Sequence, residues 1–362
     1  MYGSCPSALL EPQRTNLVLY SEQFDNASWV KDSSATVTAN TTTAPDGNTT
    51  ADTINIAAVA NSRINQVINI NNSTTYTISG YFKNIALASG QNIALIYGNT
   101  NSFGPPNNFT ATASIDLFNG TATYSLTGTS GTGFSGSASG SIQNVGNGWY
   151  RVTLTFTTGT AAATGGVFRL MSLDVVSARS FYAWGMQMEA GAYPTTYIPT
   201  TSATATRVAD SFSRSNIYTN GLISASGGTW FVELRNNVAL VADNATAGFW
   251  LGTNSATPTS DGTWYFRQGG GSQRTNVWKY VSGTATQLYQ TTTDTTKIAI
   301  KWNGTTADIF ENGTKVVSGT AFTATNMEFL TSTGVGRPFF IQQMALFPTP
   351  LTDTECAAMT TI

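Results

Sequence analysis

Histidine is absent from this 362-residue sequence, and cysteine occurs only twice. Without histidine the chain lacks the commonest general base and the commonest transition-metal ligand, which excludes Ser–His and Cys–His catalytic arrangements. The two cysteines, Cys5 and Cys356, lie near opposite ends of the chain, and one such pair makes no disulfide framework. We therefore expect two free thiols and no histidine-based chemistry.

Charged side chains are also scarce, at 10% of the chain, against about 25% in an ordinary globular protein. Lys and Arg together number 17 and the net charge is −2, so no basic stripe is available to neutralise phosphates. No apolar run approaches the ~18 residues that a membrane-spanning helix needs. These absences argue against nucleic-acid binding and against membrane insertion.

Threonine, serine, asparagine and glycine supply the polar surface instead, and they suit strands joined by tight turns. In Thr74–Phe82 and Trp149–Phe156, apolar side chains alternate with polar ones, which is the pattern of half-buried antiparallel strands. Asn-Gly turns at 119–120, 303–304 and 312–313 separate further runs and predict a hairpin and a meander. These patterns predict an all-β chain.

Three other segments mark the organisation of the chain. Gly128–Gly140 is nearly all Gly, Ser and Thr, which predicts a surface loop. Thr352 and Glu355 form the capping-box signature of a short C-terminal helix. The alternating strand pattern gives way to an extended, proline-containing stretch at 193–200. We therefore predict two tandem antiparallel β-sandwich domains, residues 1–205 and 206–362.

Separated motifs in the first half resemble a family of bacteriophage virion proteins. The carriers are an opening, an internal strand and a close, in the family's order: Leu9–Leu17, Tyr20–Phe24 and Trp29; Asn147–Val152; then Trp184–Gly191, Tyr193–Thr200 and Arg207–Asp210. In that family these motifs frame a jelly-roll domain similar to carbohydrate-binding modules. The resemblance implies a jelly roll over roughly residues 5–210.

The second half resembles laminin-G-like or concanavalin-like sandwiches. The carriers are Lys297–Trp302 with the turn after it, and Met344–Phe347 before the segment Leu351–Glu355. Domains of this kind leave a core strand and close with a short helix. Because the fold hosts many functions, this resemblance implies architecture more than activity.

Together the resemblances imply a virion structural protein, either a head or tail fibre or a capsid decoration, exposed on the particle surface. Its partners would be other virion proteins, further copies in a homotrimer, and a host-surface glycan to which the particle adheres. Two alternatives stay open: a free carbohydrate-binding module of a polysaccharide-active system, and a depolymerase.

Catalysis has little support in the sequence. Glycoside hydrolysis needs two carboxylates flanking the scissile bond, and no paired acidic motif stands out, although Glu233 and Asp308 lie in predicted strands. Concanavalin-like glucanases carry a Glu-x-Asp-x-x-Glu strand, which this sequence lacks. We therefore expect no enzyme activity and name no catalytic residue.

Four aromatic residues are candidates for stacking on sugar rings: Trp29, Tyr97, Trp264 and Trp278. The alternative for each is packing in a core, where most Trp side chains are largely buried.

The jelly-roll resemblance also implies a possible structural calcium ion, for which the motifs supply Glu22, Asp25 and Glu189 as oxygen ligands. The alternative is that Glu22 and Glu189 accept charge-assisted hydrogen bonds from Arg14 or from backbone N–H groups.

Overall fold

The computed structural model describes residues 8–98, 109–127, 133–160, 166–174, 176–224, 226–235, 247–258, 262–269, 272–281, 283–291, 295–323, 326–332 and 339–361. Its contacts divide the chain into two compact units. The first sandwich is Arg14–Arg207, and the second sandwich is Val208–Ile362 together with the N-terminal segment up to Gln13.

The described residues form strands with a single helix near the C-terminus. In chain order they are β1 Ala8–Leu10, β2 Arg14–Asn16, β3 Val30–Asp32, β4 Thr36–Thr42, β5 Ala51–Ile56, β6 Arg63–Val67, β7 Thr75–Asn84, β8 Ile93–Gly98, β9 Thr110–Asp116, β10 Thr121–Thr127, β11 Phe134–Gly146, β12 Trp149–Thr158, β13 Val167–Met171, β14 Arg179–Ala190, β15 Ala205–Arg207, β16 Ser213–Arg214, β17 Gly228–Arg235, β18 Ala247–Gly252, β19 Thr263–Gly269, β20 Ser272–Val281, β21 Thr284–Gln290, β22 Thr295–Trp302, β23 Thr306–Glu311, β24 Thr314–Ala321, β25 Phe329–Ser332, β26 Phe339–Phe347 and α1 Asp353–Thr360. No helix in this part of the chain is long and apolar enough to cross a membrane.

The first sandwich is a jelly roll. Sheet A has the order β11-β12-β7-β14-β5-β4, and sheet B has the order β10-β9-β8-β13-β6-β3. The antiparallel pairs β8/β9, β7/β12, β6/β13 and β5/β14 are nested along the chain and alternate between the two sheets. This is the path of one long hairpin wrapped around a core, which gives two Greek keys.

The core of the first sandwich lies between its two sheets. The alternation predicted for Thr74–Phe82 is present, since Tyr76, Ile78 and Phe82 are all buried. Residues from both sheets meet in a single buried cluster, including Ile78, Leu154 and Phe181 from sheet A, and Leu95, Phe168 and Leu170 from sheet B. Burial of the two inner faces is the main stabilising contribution to such a sandwich.

The second sandwich also has two six-stranded sheets. Sheet C has the order β1-β26-β17-β22-β23-β24, and sheet D has the order β16-β25-β18-β19-β20-β21. The predicted meander across the turns at 303–304 and 312–313 is confirmed as β22, β23 and β24, which pair in sequence. Its core is a cluster that includes Trp230, Ile300 and Ile309 from sheet C, and Phe249, Trp264 and Phe266 from sheet D.

Helix α1 packs on sheet C by its buried Cys356, which contacts Phe231, Ala299 and Phe310. The predicted capping box is confirmed, because Thr352 accepts from the Glu355 backbone and Glu355 accepts from the Thr352 backbone. Burial raises the pKa of the Cys356 thiol to about 11, which keeps it protonated and inert at neutral pH. Cys5 lies outside the described residues.

The all-β fold class is confirmed, but two local expectations are not met. The strand β11 begins at Phe134 and pairs with β12, so the second part of Gly128–Gly140 is an edge strand and not a loop. The segment 128–132 lies outside the described residues. At the N-terminus, Ala8–Leu10 pairs with Phe339–Ile341 in sheet C of the second sandwich, although the sequence motif places it at the start of the first.

Candidate functional site

Two of the predicted sugar-stacking residues lie in the core of the first sandwich. Trp29 has no exposed surface and packs against Phe24 and Phe168, with ring centroids 5.0 and 5.6 Å away. Tyr97 is 2% exposed and stacks on Phe156 at 5.3 Å. Neither ring presents a face to a ligand. Both residues are therefore core residues, which was the alternative to sugar stacking.

The other two predicted residues lie on neighbouring strands of sheet D and point to opposite sides. Trp264 has no exposed surface and packs on Phe322 at 4.3 Å, inside the second core. Trp278 follows the core residue Val277 and therefore points outward, where it is half-buried. Among the four aromatic candidates only Trp278 reaches the surface.

The predicted calcium ligands do not converge. Glu189 is fully buried and accepts hydrogen bonds from the Thr195 backbone N–H at 3.1 Å and the Thr195 hydroxyl at 2.9 Å, with Arg14 Nε 3.5 Å away. Glu22 is half-buried and Asp25 is exposed. Within the described ranges, no three carboxylate or thiol side chains are grouped as metal ligands. The alternative of charge-assisted bonding fits the surroundings of Glu189.

Glu189 belongs to what we call the closed face, the outer side of sheet A with Arg151, Trp184, Gln187 and Glu189 and the covering segment 193–200. The backbone N–H of Ile198 donates to Gln187 Oε1 at 2.7 Å, and Arg151 donates to the carbonyl of Thr195. The rings of Trp184 and Tyr197 pack with centroids 4.7 Å apart.

The electrostatics of the closed face come from burial. Burial raises the pKa of Glu189 above its usual range, and hydrogen bonds from Thr195 and Gln187 together with the charge of Arg14 oppose that rise. The carboxylate is thus held by several donors at once, which is how a buried charge is tolerated. This arrangement fixes segment 193–200 and leaves the acceptors of Glu189 committed within the protein.

Sheet D has a different outer side, which we call the open face and define by Tyr265, Arg267, Trp278 and Tyr280. Tyr265 on β19 is directly opposite Trp250 on β18 and Trp278 on β20, so three aromatic side chains form one row across three strands. All four defining side chains are half-buried.

The Trp250 end of the row is buried and held by a hydrogen bond. Trp250 is 1% exposed, and its indole N–H donates to the carbonyl of Asn254 at 2.8 Å. The Tyr265 ring lies across the backbone of Gly248, where an added Cβ would be 2.3 Å from Tyr265 Cε2. Glycine at 248 therefore lets the ring lie flat on β18. Tyr265 and Trp278 form the accessible part of the row.

Arg267 stands beside the exposed end of the row. Its guanidinium lies 5.9 Å from the centroid of the Trp278 ring, and no ion-pair partner for it exists among the residues that the structure describes. Burial raises the pKa of the Tyr265 hydroxyl, and the positive charge of Arg267 opposes that rise. The open face therefore combines aromatic surface with the guanidinium of Arg267, for which the described residues provide no counter-ion.

Four buried polar atoms without a partner lie on two strands of this row, β19 and β20. They are Thr263 Oγ1 and Trp264 Nε1 on β19, and Asn276 Oδ1 and Trp278 Nε1 on β20, none of which has a hydrogen-bond partner in the described ranges. Each such atom costs about 1–3 kcal/mol, and retained costs of this kind occur at functional sites. Asn276 and Trp278 point to the open face.

A small cavity of about 180 Å³ lies elsewhere in the second sandwich, lined by residues that include Lys301, Asp308 and Pro350. Its charged groups are paired: Lys301 contacts Asp353, and Lys315 contacts Asp308 at 3.2 Å. These pairs connect the start of α1 to sheet C, which indicates a structural role for the cavity walls.

The sequence analysis names Trp278 as a candidate but does not name Tyr265 and Arg267, its neighbours on the open face. The available signal was the alternation of β19, since Trp264 and Phe266 are core residues and the residues between and after them must face outward. Trp264 is a candidate by residue type alone, because its position in the alternation of β19 predicts that its side chain is buried.

No family model and no curated protein matches the chain. Among solved structures the chain is similar to domains LG4-5 of the mouse laminin alpha1 chain, at 9% identity over 90% of this chain and 88% of that one, with a TM-score of 0.21. At that TM-score the likeness carries no argument. The strands and their pairing define the class: a tandem β-sandwich protein.

Proposed function

We propose that this chain is a non-catalytic display protein of a bacteriophage particle, a head or tail fibre or a capsid decoration. In this proposal it is exposed on the particle surface, assembles as a homotrimer with other virion proteins, and binds host-surface glycans through the open face. The virion role is supported by the motifs that frame the first sandwich and their resemblance to phage proteins.

The observation that carries glycan binding is the half-buried, surface-reaching pair Tyr265 and Trp278 beside Arg267, which has no ion-pair partner in the described part of the chain. Pyranose rings present apolar C–H faces that pack on aromatic rings, and their hydroxyl groups need hydrogen-bond partners. Rigid aromatic side chains with a few polar groups nearby are typical of binding surfaces.

The proposal is non-catalytic because of the chemistry available at this face. The segments that form β18 to β21 contain no Asp or Glu. Acid–base hydrolysis of a glycosidic bond uses a pair of carboxylates on either side of it. These strands therefore place no pair of carboxylates beside a glycan bound on the row.

Trp278→Ala tests glycan binding directly. We expect the variant to bind at least ~30-fold more weakly than the unchanged chain on a glycan array and by titration calorimetry, because removal of a central aromatic anchor costs about 2 kcal/mol or more. Phe118→Ala is the matched control, since Phe118 is 59% exposed on the β9–β10 turn of the first sandwich. Equal binding by both variants would contradict the assignment of the open face.

Light scattering of the purified chain tests assembly. A stable particle of three times the 38.3 kDa chain mass supports the fibre or decoration role. A monomer with saturable binding to one glycan class would contradict that role and favour a free carbohydrate-binding module. Release of reducing ends from a capsular polysaccharide would contradict the non-catalytic part and favour a depolymerase.

A further inference from the structure

We propose that the open face selects anionic glycans, with Arg267 pairing a carboxylate or phosphate group while Trp278 stacks on the sugar that carries it. This inference rests on the proposed glycan binding and adds the chemical class of the ligand. It depends on the position of Arg267, on the charge of the surrounding strands, and on unpartnered polar atoms next to it.

No acidic side chain lies directly opposite Arg267 on the two neighbouring strands. Its directly opposite neighbours are Gly248 on β18, which has no side chain, and Asn276 on β20. The guanidinium lies near the Trp278 ring, and the described residues supply no carboxylate partner for it. A planar fork of N–H donors matches the two oxygens of a carboxylate or phosphate.

The charge of the surrounding strands also favours an anion. The segments β18 to β21 contain the basic residues Arg267, Arg274 and Lys279 and no acidic residue, although the whole chain has a net charge of −2. Of the other cations, Lys279 donates to Thr320 Oγ1 at 2.9 Å, so its ammonium is partly satisfied within the protein. Arg267 is half-buried, and within the described ranges it has no counter-ion, so an anionic ligand would offset the cost of burying its charge.

Asn276, directly opposite Arg267 on β20, adds an unpartnered polar group to the proposed site. Its side chain is 6% exposed, faces outward beside Arg267, and its Oδ1 has no donor in the described part of the chain. Because this amide oxygen is itself buried, the Asn276 side chain turns toward the ligand in our proposal, and accepts from a sugar hydroxyl once Arg267 holds the anionic group. Three neighbouring residues would thus bind three parts of the ligand: Arg267 the anionic group, Trp278 the ring face and Asn276 a hydroxyl.

The test compares probes that differ only in charge. The unchanged protein is titrated with hexagalacturonate and with its fully methyl-esterified form, and a sugar phosphate with its dephosphorylated parent forms the second arm. We expect at least ~10-fold tighter binding of one anionic probe than of its neutral form, and a clear loss of that preference at high salt. The arm that shows the preference identifies the anionic group.

Arg267→Gln then removes the charge and keeps a polar but shorter side chain. We expect this variant to lose the ~10-fold preference, so that its affinities for the anionic and the neutral form of a probe become equal. Arg214→Gln, an exposed arginine on edge strand β16 of the same sheet, is the control for the same change in net charge. Its preference should stay within about twofold of the unchanged protein.

The outcomes separate this inference from the proposed function. Equal binding of anionic and neutral probes by the unchanged protein, or a preference retained in Arg267→Gln, overturns the selection of anions and leaves glycan binding standing. Absence of binding to any probe and to a broad glycan array overturns both.

Discussion

The closed face of the first sandwich and the open face of the second are both outer sides of six-stranded sheets. They differ in how far their outward side chains are buried and hydrogen-bonded. On the closed face, Gln187 and Glu189 are buried under segment 193–200 and bonded to its backbone. On the open face, Trp278 and Tyr265 are only half-buried, and Asn276 Oδ1 is left without a partner within the described ranges.

The comparison teaches that residue type alone does not reveal a binding surface. Trp184 on the closed face and Trp278 on the open face are both outward-pointing tryptophans. The indole of Trp184 donates to Thr50 Oγ1 at 3.0 Å and packs on Tyr197, whereas the indole N–H of Trp278 has no partner in the described residues. What distinguishes the two residues is whether the protein itself already uses the ring and its N–H group.

The largest expected effect is on stability and comes from truncating these two tryptophans. Trp184→Ala should destabilise the first sandwich by about 3–5 kcal/mol, because a buried ring and its hydrogen bond are lost. Trp278→Ala should cost the second sandwich only about 1 kcal/mol. Hydrogen exchange of peptides from each sandwich measures the two separately. Similar losses in both sandwiches would remove the distinction between the faces.

A smaller effect is expected from Glu189→Gln on the closed face. The substitution replaces one carboxylate oxygen by an NH₂ group, so one of the buried donors that point at Glu189 loses its acceptor. We expect a loss of about 1–3 kcal/mol in the first sandwich and faster exchange of the Thr195 amide. Asp25→Asn, at an exposed position, is the control and should change stability by less than about 0.5 kcal/mol. A neutral result for Glu189→Gln would show that this carboxylate does not fix segment 193–200.

A pH dependence of stability is expected at Asp52, a second buried carboxylate of the first sandwich. It accepts from the backbone N–H groups of Phe24 and Asn40, each at 2.9 Å, and burial raises its pKa from 3.8 to about 6. The folded state therefore binds this proton more tightly than the unfolded chain does. Its contribution to stability is greatest below the unfolded pKa and is lost as pH rises through about 6.

The measurement is urea unfolding of the unchanged chain and of Asp52→Asn between pH 4 and 7. The stability difference between the two should shift in favour of the unchanged chain as the pH falls, by at most about 1.4 kcal/mol per pH unit. A difference that is constant over this range would contradict the raised pKa of Asp52.

Much of the fold could be predicted from the sequence, because its signals are local. Period-2 alternation identified β7 and β12, the Asn-Gly turns identified the meander β22 to β24, and the capping box identified the start of α1. The pairing of Ala8–Leu10 with the last strand could not be predicted, because nothing local specifies which distant edge a short strand joins.

The site was harder to predict than the fold. Trp29, Tyr97 and Trp264 have the residue types of a sugar platform, but the packing of two sheets buries them. The resemblance that suggested Glu189 as a metal ligand gave no sign that the chain would return over it and supply Thr195 as a donor. Exposure depends on which segments cover a face, and that is a tertiary property.

The most direct test of the open face as the ligand surface is a spectrum of the indole N–H groups. The chain has 8 tryptophans, so ¹⁵N-tryptophan labelling gives few signals, which single Trp→Phe variants can assign. On titration with the glycan that binds best, we predict a saturable shift of the Trp278 signal and none at Trp184. A shift at Trp184 with Trp278 unchanged would place the ligand on the closed face and contradict the account.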